Sequence, residues 1–85
     1  MYKELAIDKE IEVVKTIREL QNYVFTSINS MMECIEENTK EYSKFLGYMM
    51  GNNYDEIVIM WENMTANILF KRDDEHTYRI IFAYL

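Results

Sequence analysis

The chain has no proline, two glycines, one cysteine, one histidine and one tryptophan in its 85 residues, and its nine bases face 15 acids. Each shortage excludes something. With Gly47 and Gly51 as the only glycines, a P-loop or another glycine-rich phosphate cradle cannot be built. Cys34 stands alone and cannot form an internal disulfide, which fits a reducing compartment. No segment reaches the roughly 18 uncharged apolar residues that a membrane span needs, and the first ten residues are too charged for a signal peptide. A cytoplasmic protein without membrane contact is expected.

The shortage of bases bears on partners. A net charge of −6 repels a phosphate backbone unless the bases cluster, and here they are dispersed. Direct nucleic-acid binding is therefore not expected. A protein partner with a basic surface, such as one that itself binds nucleic acid, is attracted instead.

What is present describes one folded domain, residues 1–85. The apolar fraction is 49% and the charged fraction 28%, with both signs mixed, which argues against disorder. A chain this short buries only about 60–65% of its unfolded surface, so its stability is marginal unless a partner adds to it. Ile, Lys, Asn, Tyr, Glu and Met are abundant and Ala is scarce. Most of the abundant residues have A/T-rich codons, a hint of an A/T-rich genome such as that of a low-GC bacterium or its phage.

The strongest periodicity lies in residues 10–36. Val13, Val14, Ile17, Leu20, Val24, Phe25, Ile28, Met31, Met32 and Ile35 fall on one helical stripe. Asp8 is placed to cap this helix, and residues 1–9 read as an extended arm or a frayed lead-in. An unbroken helix over 10–36 is about 40 Å long, more than a small domain spans. Either it breaks near residues 26–30, where Thr, Ser and Asn gather, or its excess length packs on a second copy. Gln21 projects into the stripe: it bonds a nearby backbone group, or it sets register at a helix dimer interface.

Asn38 and Glu41 have capping-box spacing, and Tyr42, Phe45, Leu46 and Met49 repeat at helical intervals up to Met50, before Gly51. A second, shorter helix and a helical hairpin follow. Beyond residue 54 the β-branched run 57–61, the run 68–71 and the alternation in 78–84 read as three strands, turned at 62–65 and 73–76. The expected fold is α+β: a long N-terminal amphipathic helix and a shorter second helix packed on a C-terminal three-stranded antiparallel meander. The alternative is an all-α bundle of three or four helices, since Ile57, Trp61, Met64 and Ile68 also share a helical face and Asn53 with Glu56 repeats the capping spacing.

Catalytic chemistry finds little footing. Cys34 flanks the first stripe and His76 lies in the last loop, and nothing pairs them as nucleophile and base. Asp73, Asp74, Glu75 and His76 are consecutive, and four neighbours cannot all aim at one ion without special loop geometry. They read as a solvated turn. No enzyme, metal or cofactor is expected.

Two features remain. Glu33, Glu36, Glu37 and Glu41 form the densest acidic patch, which Asp55, Glu56 and Glu62 broaden if they lie nearby. Seven Tyr, four Phe, one Trp and seven Met crowd a small core, and Tyr42, Tyr48, Met49, Met50, Tyr54 and Trp61 gather around the expected second helix and its turn, where it is hardest to bury them all. Tyr and Trp are residues that concentrate at interface centres. Together these point to a small acidic inhibitor or adaptor without an enzymatic activity, encoded by a phage or mobile element and blocking a host nucleic-acid-processing or defence protein. The analogy is to anti-CRISPR proteins in type, without a sequence match. The alternative is a homodimer, structural or regulatory, paired through the long first helix, with Gln21 at its register.

Overall fold

The computed structural model describes residues 2–51, 55–73 and 76–85, with side chains from Lys9 onward. Helix α1 spans Tyr2–Arg18 and buries Val13, Val14 and Ile17, three positions on one side of a 3.6-residue repeat. A single 3-10 turn, Glu19–Asn22, continues it and buries Leu20, and Tyr23 ends it in an extended conformation. Helix α2 then spans Ile28–Thr39 and buries Met31, Met32, Ile35 and Thr39.

The long first helix is thus two helices. Residues 19–27 interrupt it, earlier than the expected break at 26–30, and two contacts explain the interruption. Phe25 leaves helical geometry to bridge Tyr78, accepting from its N–H at 2.8 Å and donating to its carbonyl at 2.9 Å. Ser27 restarts the helix as N-cap, its hydroxyl accepting from the Ser30 N–H at 3.0 Å. Residues 2–9 belong to α1 and form no extended arm, so Asp8 lies within the helix and does not begin it.

A turn after α2 leads into four strands, β1 Phe45–Met50, β2 Glu56–Trp61, β3 Met64–Arg72 and β4 Tyr78–Tyr84. They pair in sequence order, each antiparallel to the next. The class is α+β with a four-stranded meander, one strand more than expected, and the all-α alternative is overturned. The extra strand replaces the predicted second helix. Residues 45–50 offer no polar side to face water from a helix, and they pair instead with the apolar β2. A bulge at Leu46 puts Gly47 at φ 158°, a backbone conformation that suits glycine and no helix. Asn38, expected to open that helix, sits in the last turn of α2 and donates to the Cys34 carbonyl at 2.7 Å.

Both helices cover one face of the sheet. Ile57, Ile59 and Trp61 of β2, Met64, Ala66, Ile68 and Phe70 of β3, and Ile80 and Ala83 of β4 turn inward to meet them. The alternation expected along β4 is broken. A bulge at Ile81 lets Phe70 pair with Ile80 and Leu69 with Phe82, so Ile80 and Ala83 face the core while Phe82 and Tyr84 face away. Among the described residues no helix is long and apolar enough to cross a membrane.

Trp61 ties the two layers together. It is only 3% exposed, its indole N–H donates to the Thr39 hydroxyl at 3.0 Å, and that hydroxyl donates in turn to the Ile35 carbonyl at 2.7 Å. Phe45 meets the indole edge-on, ring centres 6.2 Å apart. Replacing Thr39 by Val keeps the shape and leaves a buried indole N–H without its acceptor. Thr39→Val is expected to lower stability by about 1–3 kcal/mol, read from the fluorescence of the single tryptophan during denaturant unfolding; an unchanged midpoint would deny the link any structural weight.

Candidate protein-binding surface

Because α2 turns Met31, Met32, Ile35 and Thr39 into the core, its geometry leaves Glu33, Glu36 and Glu37 in one exposed row. Glu37 pairs with Lys40 at 2.7 Å. That hydrogen bond and charge raise the Lys40 pKa. Glu33 and Glu36 have no ion pair among the described residues. Glu41 is exposed in the turn just past the helix end. Four of the expected acids are therefore neighbours along one helix and its exit.

Tyr42 sits half-buried beside them and packs on the core. A hydrogen bond with Thr16 of α1 favours its phenolate, but burial, a hydrogen bond to Glu41 and the charges of Glu41 and Glu12 outweigh it and raise the phenol pKa. The structure thereby brings Glu12, a residue of the other helix, to the edge of the acidic row. Sequence reading did not place it there, because only the chain reversal at residues 19–27 folds α1 back beside the exit of α2. Tyr48 is half-buried, its hydroxyl donating to Asn29 Oδ1 at 2.8 Å beside the first turn of α2.

The remaining candidates separate. Trp61, expected at a partner interface, is buried in the core, because the strand alternation that buries Ile57 and Ile59 carries it inward as well. Gln21 bonds a backbone group, the first of its two expected roles. Its Nε2 donates to the Ile81 carbonyl at 2.6 Å on the outer edge of β4, a backbone bond to a residue 60 positions away. Asp55 is exposed in the β1–β2 connection, and Glu56 projects from the sheet face turned away from the helices. Neither broadens the α2 row. Tyr54 lies outside the described residues, as do Asn53, Asp74 and Glu75.

That outer face carries a row unnoticed in the sequence. The guanidinium of Arg18 lies 4.3 Å above the Phe82 ring, while its Nε–H donates to the Ala83 carbonyl at 3.0 Å. Phe82 stacks beside Tyr84, ring centres 6.4 Å apart and 20° from parallel. The Tyr84 hydroxyl reaches the Glu56 carboxylate at 3.0 Å. A cation, two rings and a carboxylate thus run in line from α1 across β4 and β3 to β2. The alternation of β3, with Thr65, Asn67, Leu69 and Lys71 outward, is the sequence signal for this face; the Ile81 bulge hid the β4 half of it.

Cys34 is half-buried on the flank of α2, and burial raises its thiol pKa, partly offset by the Asn38 amide. A thiol held protonated is a weak nucleophile. His76 is exposed, and Asp73 pairs with Arg79 at 3.2 Å.

The Glu56 carboxylate holds the Tyr84 phenol above its ordinary pKa, chiefly through that hydrogen bond. A raised folded-state value favours the folded protein below the ordinary tyrosine pKa and loses its effect as pH rises through the raised one. Glu56→Gln is expected to move ionisation of Tyr84 to lower pH, read by ultraviolet difference titration against Tyr84→Phe; identical titration curves would remove the carboxylate from the account. Comparison of the chain with protein families, with curated proteins and with solved structures finds no match.

Proposed function

We propose that this chain is a small acidic inhibitor or adaptor, without an enzymatic activity, that docks on an Arg/Lys-rich protein surface through the solvent side of α2 and the turn beyond it. One observation carries the reading. Glu33, Glu36 and Glu37 stand exposed on a helix whose opposite side is buried, capped by Ser27 at one end and hydrogen-bonded to Trp61 at the other, and Glu41 is exposed in the turn just beyond it. Acids presented on a fixed helix match a basic partner with little ordering at the moment of contact.

Like charges one turn apart, as at Glu33 and Glu37, cost a helix a few tenths of a kcal/mol. A surface that retains them suits an interaction in which that repulsion is relieved by cations. A nucleic-acid-processing or defence protein supplies such cations where it grips phosphate, and a bound acidic helix occupies the same ground. This is the anti-CRISPR type of action, and it fits the codon-like bias toward an A/T-rich phage or mobile element. The length that called for a second copy along one first helix is gone, since that helix is two.

Affinity capture from a bacterial lysate tests the reading. The wild type is expected to retain a basic protein, and charge reversal at Glu33, Glu36 and Glu37 to release it without changing thermal unfolding. A control with the same net charge, reversed at Glu10, Glu19 and Asp55, is expected to keep the partner. Capture that survives the first variant, or fails equally in the control, would sink the α2 surface.

A further inference from the structure

The two edges of the sheet are treated differently. On β4 the outward backbone groups are occupied: Gln21 bonds the Ile81 carbonyl, Arg18 bonds the Ala83 carbonyl, and Phe25 exchanges two hydrogen bonds with Tyr78. β1 is the other outer strand, and nothing comparable lies along it among the described residues. Free strand edges are commonly guarded by charge, proline, bulges or a covering segment. β1 has neither charge nor proline, and its one bulge, at Leu46, leaves residues 48–50 regular.

The free groups follow from the pairing. The Gly51 N–H donates to the Glu56 carbonyl at 2.7 Å. Inward and outward groups alternate along an antiparallel strand, so Gly47 and Met49 also turn theirs to β2, and Tyr48 and Met50 point theirs outward. Large apolar side chains accompany them: Leu46 is 61% exposed, Met49 55% and Met50 47%.

We propose that β1 pairs with β1 of a second copy, antiparallel about a two-fold axis at Met49, joining two four-stranded sheets into one of eight strands. In this register Tyr48 of each copy lies opposite Met50 of the other, and their N–H and C=O groups form four backbone hydrogen bonds. Within the regular residues 48–50 any other centre forms fewer. The two Met49 side chains meet at the axis on the outer sheet face, beside Val58 of each copy. Charge is complementary as well. Antiparallel pairing brings exposed Lys44 at the start of one β1 level with the β1–β2 connection of the other, where Asp55 is exposed, and the symmetry makes that contact twice. A strand with these ends matches its own reverse, which is what selects a second copy as the occupant.

Sedimentation equilibrium of the full chain is expected to give a concentration-dependent dimer. Met49→Lys brings the net charge of −6 one unit nearer zero, so general repulsion between copies falls. At the axis it sets two cations face to face, and the dimer is expected to weaken by about tenfold or more, with helix and strand content unchanged by circular dichroism. In a Cys34→Ser background, Met49→Cys is expected to give a disulfide-linked dimer on mild oxidation, because a non-hydrogen-bonded antiparallel pair holds its Cα atoms about 4.5 Å apart, within disulfide reach. Thr65→Cys, exposed on β3, is expected to stay unlinked. A chain that is monomeric at every concentration overturns the proposal, as does a dimer indifferent to Met49→Lys or a Met49→Cys chain that fails to cross-link.

Discussion

The hydrogen bond from the Trp61 indole to Thr39 is the contact on which the two-layer arrangement turns. It joins the last residue of α2 to the last residue of β2 inside the core. Without it the helix still has an apolar stripe, but a stripe of Met and Ile fixes neither its rotation nor its slide along the sheet. Methionine in particular adapts to many packings. A directional bond between two buried polar groups selects one of them, since every other packing leaves the indole N–H unsatisfied. The position of the acidic row in space follows from that choice.

Where the sequence was legible, it was because burial imposed a period. Val13, Val14 and Ile17 and then Met31, Met32 and Ile35 were identified as helical core, and they are core. Residues 57–61 and 78–84 were identified as strands, and each lies within one. The errors have particular causes. Val24 and Phe25 continue the helical stripe in sequence, yet the backbone there bridges Tyr78 and leaves Val24 exposed; a long-range pairing overrode a local pattern. Residues 42–50 fit a helical spacing in their aromatic positions, and only the uncharged β2 run waiting across the turn makes a strand of 45–50 better. The acids of α2 were placed on solvent by the same wheel that placed its core. Trp61 was misplaced because composition alone does not say which side of a strand a residue takes.

Covering one face of a four-stranded sheet uses both helices, and the other face is left to its own side chains. Arg18, Phe82, Tyr84 and Glu56 answer this by bonding among themselves across three strands. Arg18 does so from the end of α1, its guanidinium bonding the β4 edge on the way. The helix layer and the open face are thus connected around the edge of the sheet as well as through the core. The same side chain closes that edge to further strands, which leaves β1 as the margin where the sheet can grow.

The bulge at Ile81 has a consequence for how β4 can vary. It is a phase shift in a two-beat rhythm: before it even-numbered Ile80 faces the helices, and after it odd-numbered Ala83 does. Deleting Ile81 would restore the beat and leave Ala83 inward and Phe82 and Tyr84 on the open face, whereas flattening the bulge with every residue kept would swing Phe82 into the space that now holds Ala83. Substitutions on the outer side of this strand alter a surface; losing the bulge while keeping its residue would exchange the surface with the core. For β4, then, the quantity that must hold is the register of Ile80 on Phe70 and of Phe82 on Leu69, and the residue between them is the one position that can be lost without turning the strand over.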